Sequence, residues 1–329
     1  MNFAAFPKTD IHLHLDCTLS YNVVKKINPA ITPQQYNNEF IAPQKCINLA
    51  DFLTHAVQGY KLMQTRQQLE WVVEDLFEQL VADNVIYAEL RFAPLQHLLQ
   101  GLTPYEVVDI TEKATARAAK ATGIEARIIL CTLRHYSAEQ SMETVTLVER
   151  FKNTLVAGFD IAADEAGFPL TEHIKAFSYA REKNIFCTAH AGEAKGASSV
   201  WETLEYLGPS RIGHGVRSAG DEKLVQYLKQ HKIHLEVCPT CNVQINIYDT
   251  LKNHPVDSLY RKGVLLNINT DARTICNINL NTEYKNLHEQ FGWTKADFYK
   301  TNVNAVNAAF VGNDIKEWLL QKLKEGYGM

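Results

Sequence analysis

The stretch DIHLHLDC, residues 10–17, decides how the rest of the chain is read. It is a short apolar run that closes in polar residues. Successive side chains of a strand point to opposite faces, so His12 and His14 share a side, and with the flanking leucines turned outward both imidazoles converge inward. The same pattern recurs at 85–94 (VIYAELRFAP), 126–135 (ARIILCTLRH), 156–165 (VAGFDIAADE), 185–191 (IFCTAHA), 211–216 (RIGHGV), 234–240 (HLEVCPT) and 264–271 (VLLNINTD). These are eight candidate strands, with helical periodicity between them. Residues 70–82 (EWVVEDLFEQLVA), for example, set Val72, Val73, Leu76, Phe77, Leu80 and Val81 on one helical stripe.

Eight strand–helix units with no Gly-rich dinucleotide fingerprint after the first strand predict a (β/α)8 TIM barrel, not an open doubly wound sheet. A helical insertion follows strand one and extra helices stand at the carboxyl end. No linker, charge block or repeat divides residues 1–329, so a single domain is expected. The first connection is long, about 65 residues from Thr18 to Asp83, and carries Leu49, Phe52, Leu53, Tyr60, Leu62 and Met63. It reads either as an apolar lid over the strand ends or as an insertion that only thickens the shell.

Composition narrows the partners. The 33 Lys and Arg against 37 Asp and Glu leave a net charge of −4, which provides no basic footprint for nucleic acid or anionic lipid. No window approaches the roughly 18 apolar residues of a membrane span. The start, MNFAAFPKTD, lacks a basic segment followed by a long apolar one, and the seven cysteines are odd in number and scattered. Reduced thiols in a cytoplasmic protein are the expectation. A monomer or weak homo-oligomer acting on a small molecule is expected.

Three further strand ends carry chemistry: His190-Ala191-Gly192-Glu193, Gly213-His214-Gly215 and Asn269-Thr270-Asp271. Any one of them alone reads more readily as a satisfied core histidine or a capping aspartate. Together with His12 and His14, in barrel order, they fall where a barrel keeps its active site, at the carboxyl ends of the strands. Three neutral imidazoles and a carboxylate suit Zn2+, with room for a water. A cytidine-type zinc motif fails: His234-Leu235-Glu236 precedes Cys238-Pro239-Thr240-Cys241, but proline follows the first cysteine instead of preceding it and one residue separates Glu236 from Cys238. These cysteines are expected to pack at a strand end. A binuclear centre lacks its bridging lysine on strand four.

On HLHLD (12–16), INLADFLTHAVQGYKLMQT (47–65), VIYAELRFAP, DIAADE (160–165), HAGE (190–193), RIGHG (211–215), CPTCNVQ (238–244), HPVDSLYRKGV (254–264) and INTDA (268–272), in that order, the chain resembles the adenosine deaminases of the amidohydrolase superfamily. The resemblance implies one Zn2+ per chain on His12, His14, His190 and Asp271, and hydrolysis of adenosine and 2′-deoxyadenosine to inosines and ammonia in purine salvage. It gives Glu193 the donation of a proton to purine N1. His214 would orient and deprotonate the water and stabilise developing charge, while Asp271 accepts a hydrogen bond from the nucleophile. On the substrate side it places His14, Asp16 at the ribose 5′-hydroxyl and the backbone amide of Ala163 at N3. Asp16, read as continuing the face of His12 and His14, is alternatively a partner of a zinc histidine.

Three positions depart from the family pattern. Cys17 and Ala163 stand where glycine is usual, and Ala272 replaces the aspartate that binds N7 in the vertebrate pattern; Arg273 is the nearby candidate to replace it. The rival substrates are adenine, 6-aminodeoxyfutalosine and N6-modified AMP, and Asp16 argues against adenine, whose deaminases usually carry glutamate there. From another class, a catalytically silent nucleoside-binding protein is weighed down by the intact ligand set and Glu193.

Overall fold

In the computed structural model, which describes residues 1–329, eight parallel strands follow one another around a barrel: β1 (Lys8–His14), β2 (Val85–Phe92), β3 (Glu125–Leu133), β4 (Val156–Ala162), β5 (Phe186–Ala191), β6 (Arg211–His214), β7 (His234–Val237) and β8 (Leu266–Ile268). Parallel neighbours cannot be joined by a hairpin, so each connection crosses over through helix. The ring closes at its upper edge, where Leu13 pairs with Asp271. There the His14 N–H donates to the Asp271 carbonyl at 2.8 Å and the Asp271 N–H to the His12 carbonyl at 2.9 Å.

The barrel interior is charged. Alternation along the strands turns Glu89 and Arg91 of β2, Asp160 of β4, Arg211 of β6 and Glu236 of β7 inward, and all are fully buried. They satisfy one another: Arg91 holds Asp160 at 2.9 Å and Glu236 at 2.7 Å, and Arg211 holds Glu236 at 2.7 Å and also pairs with Glu89. Buried charges persist only when paired in this way.

The helix Arg66–Ala82 starts on a Thr65–Gln68 capping box and buries Leu69, Val72, Val73, Leu76, Phe77 and Leu80 against the barrel. Val81, expected on that stripe, is 52% exposed. It lies one residue, or about 100° of rotation, past Leu80, in the final turn before the chain leaves for β2.

Several strands also stop earlier than their apolar runs suggest. β1 ends at His14 and Leu15–Cys17 forms a 3-10 turn, so Asp16 does not continue the face of the two histidines. β7 ends at Val237, because Pro239 cannot donate to a ladder and opens the helix Pro239–Gln244 instead.

The first connection folds into three additional helices, Tyr21–Ile27, Pro33–Phe40 and Leu49–Lys61. The last of these lies directly on the turn after β1: a Cβ on Gly59 would stand 2.0 Å from the Asp16 carbonyl oxygen, so glycine alone permits the approach. Leu280–Phe291, Lys295–Ala308 and Asn313–Tyr327 are the extra helices at the carboxyl end. No helix is long and apolar enough to cross a membrane.

Candidate active site

The side chains singled out on four separate segments meet at the carboxyl end of the barrel. The rings of His12 and His190 lie 4.6 Å apart, those of His12 and His214 4.8 Å, and those of His14 and His190 5.2 Å. Donor atoms of His12, His190, His214 and Asp271 all fall within 4.8 Å of one another. His14 stands at the rim of that group, its Nε2 3.2 Å from His190 Nε2 and 3.4 Å from Asp271 Oδ1. His214 Nε2 reaches Glu193 Oε1 at 3.4 Å.

Local backbone makes this convergence possible. A Cβ on Gly213 would lie 2.9 Å from His12 Cε1, so the His12 ring fits only because β6 passes it without a side chain. His214 and Asp271 both take a left-handed φ of 60°, and Ala163 one of 76°. Such non-glycine conformations cost on the order of 1–3 kcal/mol and persist where the surroundings over-determine them.

Two imidazoles are oriented from below. His12 Nδ1 donates to Glu236 Oε2 at 2.6 Å and His190 Nδ1 to Asp160 at 3.1 Å. With the proton on Nδ1, each ring turns a bare Nε2 into the cluster. Burial works against charge on Asp160, yet His190 and Arg91 hold its carboxyl below the ordinary range. Burial also lowers His14 and His214 well below the usual imidazole value. The buried His12 Nε2 has no hydrogen-bond partner, and His190 Nε2 faces His14 Nε2 at close range. Converging nitrogen lone pairs beside a carboxylate are the donor set of a borderline-soft dication, so these residues fit a metal of the zinc type.

Glu193 is held by its own turn. Glu165, the last residue of DIAADE, accepts the Gly192 N–H at 2.7 Å, the Glu193 N–H at 3.0 Å and the Lys195 N–H at 2.9 Å. Arg134 Nη2 donates to the His190 carbonyl at 2.8 Å. Burial first, then the charges of Asp271 and Glu165, raise the Glu193 carboxyl well above its ordinary value.

The cavity against these groups is small, about 50 Å3, and Leu49, Phe52 and Leu53 of the helix Leu49–Lys61 form its roof with Ala272 and Ile275. Of the two readings of the insertion, the lid holds. A larger cavity of about 470 Å3 lies beside Gln44, Thr240 and Gln290 but has no imidazole on its wall, so size alone does not mark the chemistry. Ala163 and Cys17 line the small cavity. Asp16 lies behind Cys17, whose Sγ is 3.6 Å from its carboxylate, and burial raises that carboxyl to about 6. Arg273 does not stand in for the missing aspartate at 272: its guanidinium turns away from the cavity to Asp83, with Asp10 at 3.6 Å. Cys238 and Cys241 are buried with Cys46 and Cys276 in the apolar cluster beneath the lid, and every cysteine is free.

Sequence reading missed the carboxylates that orient the histidines. Glu236 drew notice only for a cysteine motif that failed; a lone carboxylate inside the apolar run HLEVC was the one signal in the sequence, and it did not say which histidine it would meet. Asp160 and Glu165 lay in a quoted motif without a role, as did Asn242 and His254.

A family model described as adenosine deaminase matches residues 7–326. The adenosine deaminase of Clostridium perfringens (strain 13 / Type A) is 32% identical to this chain over 97% of it and 98% of the relative. Among solved structures, the adenine deaminase of Arthrobacter aurescens superposes with a TM-score of 0.90 at 23% identity, covering 98% of this chain and 99% of that one. An amidohydrolase from Burkhoderia ambifaria, solved with bound Zn, gives 0.90 at 22% identity, covering 99% and 92%. At these identities the superpositions establish the barrel fold.

Proposed function

The chain belongs to the adenosine deaminase family, and from that premise we propose that it hydrolyses adenosine and 2′-deoxyadenosine to the corresponding inosines and ammonia. The observation that carries this reading is a buried carboxyl, Glu193, raised well above its ordinary value and facing a converged set of imidazoles and one carboxylate inside a roofed cavity.

We assign one Zn2+ per chain to His12, His14, His190 and Asp271. When bound, the ion supplies Lewis-acid charge able to bring the pKa of water from 15.7 to about 7. Glu193, held protonated, donates to purine N1, which breaks the aromaticity of the ring and leaves C6 open to addition. Asp271 accepts a hydrogen bond from the incoming oxygen, and His214 orients that oxygen and stabilises its developing charge. The backbone N–H of Ala163 is assigned to N3 and Asp16 to the ribose 5′-hydroxyl. Ala272 presents a methyl toward N7, a missing contact that costs about 1–3 kcal/mol when its partner stays buried and unpaired.

Ligand sites usually span about 300–1,000 Å3, far above the 50 Å3 beneath the roof, so a nucleoside enters only as the lid helix swings out and is closed in when it returns. The physiological setting we assign is cytoplasmic purine salvage by a single-domain monomer or weak homo-oligomer. An ultraviolet assay across adenosine, 2′-deoxyadenosine, adenine, 6-aminodeoxyfutalosine and N6-methyl-AMP tests the reading. The expected result is the highest kcat/KM for the two adenosines; a value for adenosine far below that of another compound overturns the assigned substrate, and no ammonia from any of them overturns the reaction.

A further inference from the structure

The four imidazoles that converge at the site are not equivalent, and the difference is set outside the cavity. His12 and His190 give their Nδ1 protons to carboxylates, whereas His214 Nδ1 faces the side-chain amide of Asn242, with Nδ2 at 3.1 Å. The other end of that amide, Oδ1, lies 3.2 Å from His254 Nε2, and His254 Nδ1 accepts the backbone N–H of Val256 at 3.1 Å. All three side chains are buried.

The proton positions along this chain follow by elimination. A ring nitrogen that accepts a backbone N–H carries no proton, and burial lowers His254 to about 3, so its ring is neutral with its single proton on Nε2. That N–H must donate, which makes Asn242 Oδ1 the acceptor. The opposite amide orientation would face an NH2 group with an N–H. With Oδ1 fixed, Nδ2 donates to His214 Nδ1, which is therefore bare, and the neutral His214 ring keeps its proton on Nε2, the nitrogen directed at Glu193 Oε1.

We propose that His254 is a positioning residue that locks His214 as the Nε2–H tautomer through the amide of Asn242. Two consequences follow. His214 Nε2 has no lone pair to give a metal, so although His214 belongs to the converged donor group with His12, His190 and Asp271, the third imidazole ligand is His14 at the rim. Neutral His214 also cannot take a proton from water at Nε2; it donates a hydrogen bond to the oxygen being added, and Asp271 remains the acceptor. The kinetic consequence rests on the deaminase reading, but the tautomer does not.

The test is long-range 1H–15N correlation NMR on the metal-loaded protein labelled with 15N-histidine, the His214 signals being assigned by their loss in His214→Gln. The expected spectrum shows His214 with a bare, pyridine-like Nδ1 and a protonated Nε2. In Asn242→Asp, whose carboxylate can only accept, Nδ1 becomes protonated. In His254→Phe the freed amide turns, the Nδ1 signal leaves its bare position, and kcat for adenosine falls while KM holds. A wild-type His214 with protonated Nδ1 overturns the proposal, and that spectrum decides it even when neither variant folds. An unmoved Nδ1 signal in folded Asn242→Asp overturns it as well. Absence of deamination on the substrate panel with the tautomer as expected sinks the function and leaves the relay standing.

Discussion

Beneath the cavity, His12 and His190 are each pinned through Nδ1 by a carboxylate, and Arg91 holds both carboxylates from fully buried positions. Above it, Leu49, Phe52 and Leu53 meet Ala272 and Ile275 by apolar contact. A charged network in low dielectric has few acceptable arrangements, because any shift strands a desolvated charge. Apolar contact is non-directional and can part and reform at modest cost. The floor is thus suited to holding donor atoms still and the roof to admitting and enclosing a ligand, and each can be broken separately.

The largest effect is expected in the floor. Glu236→Ala leaves Arg91 and Arg211 short of their shared carboxylate and frees His12 Nδ1, so stability should fall by about 3–5 kcal/mol and metal affinity by roughly 10–100-fold. Urea unfolding and metal content of the purified variant check this; wild-type values for both would show that the network does not anchor the site. In the roof, Gly59→Ala drives a methyl into the Asp16 carbonyl. The lid helix must move off the turn after β1, costing about 1–3 kcal/mol as for other overpacked contacts. Steady-state kinetics should show a raised KM with kcat less affected, and an unchanged KM would mean that the helix does not govern closure.

The smallest effect joins floor and roof through Glu193. In the proposed role its carboxyl works protonated, so activity is expected below its folded-state pKa and is lost as pH rises through it. The charge of Glu165 contributes to the raised value. In Glu165→Gln the carboxyl should therefore ionise at lower pH, and the alkaline fall in kcat should begin earlier. A pH–rate profile with an unmoved alkaline limb contradicts that coupling.

The contrast also separates what the residues disclose on their own from what needs coordinates. Each strand was visible because it is a short apolar run bounded by polar residues. The overshoots at Asp16 and at 238–240 arose where the chain leaves the ladder to build the site, and there the turn after β1 and Pro239 override the run. His12, His14, His190, His214 and Asp271 were visible because a barrel gathers its strand ends. The residues that aim them were not, since Glu236 lies 224 positions from His12 and only pairing across the barrel relates the two. Arg273 shows the opposite error: it adjoins Ala272 in sequence, yet its guanidinium turns to Asp83, 190 positions away. The roof was foreseeable only as one of two possibilities, because apolar side chains on an inserted helix do not say what they cover.

The central claim is that a metal-binding floor and a protonated Glu193 act together on a 6-aminopurine. Glu193→Gln, assayed in one preparation for bound metal and for adenosine turnover, tests it most directly. The account predicts wild-type metal content with turnover lowered by about 10^2–10^4. Turnover near wild type at full metal content would contradict it.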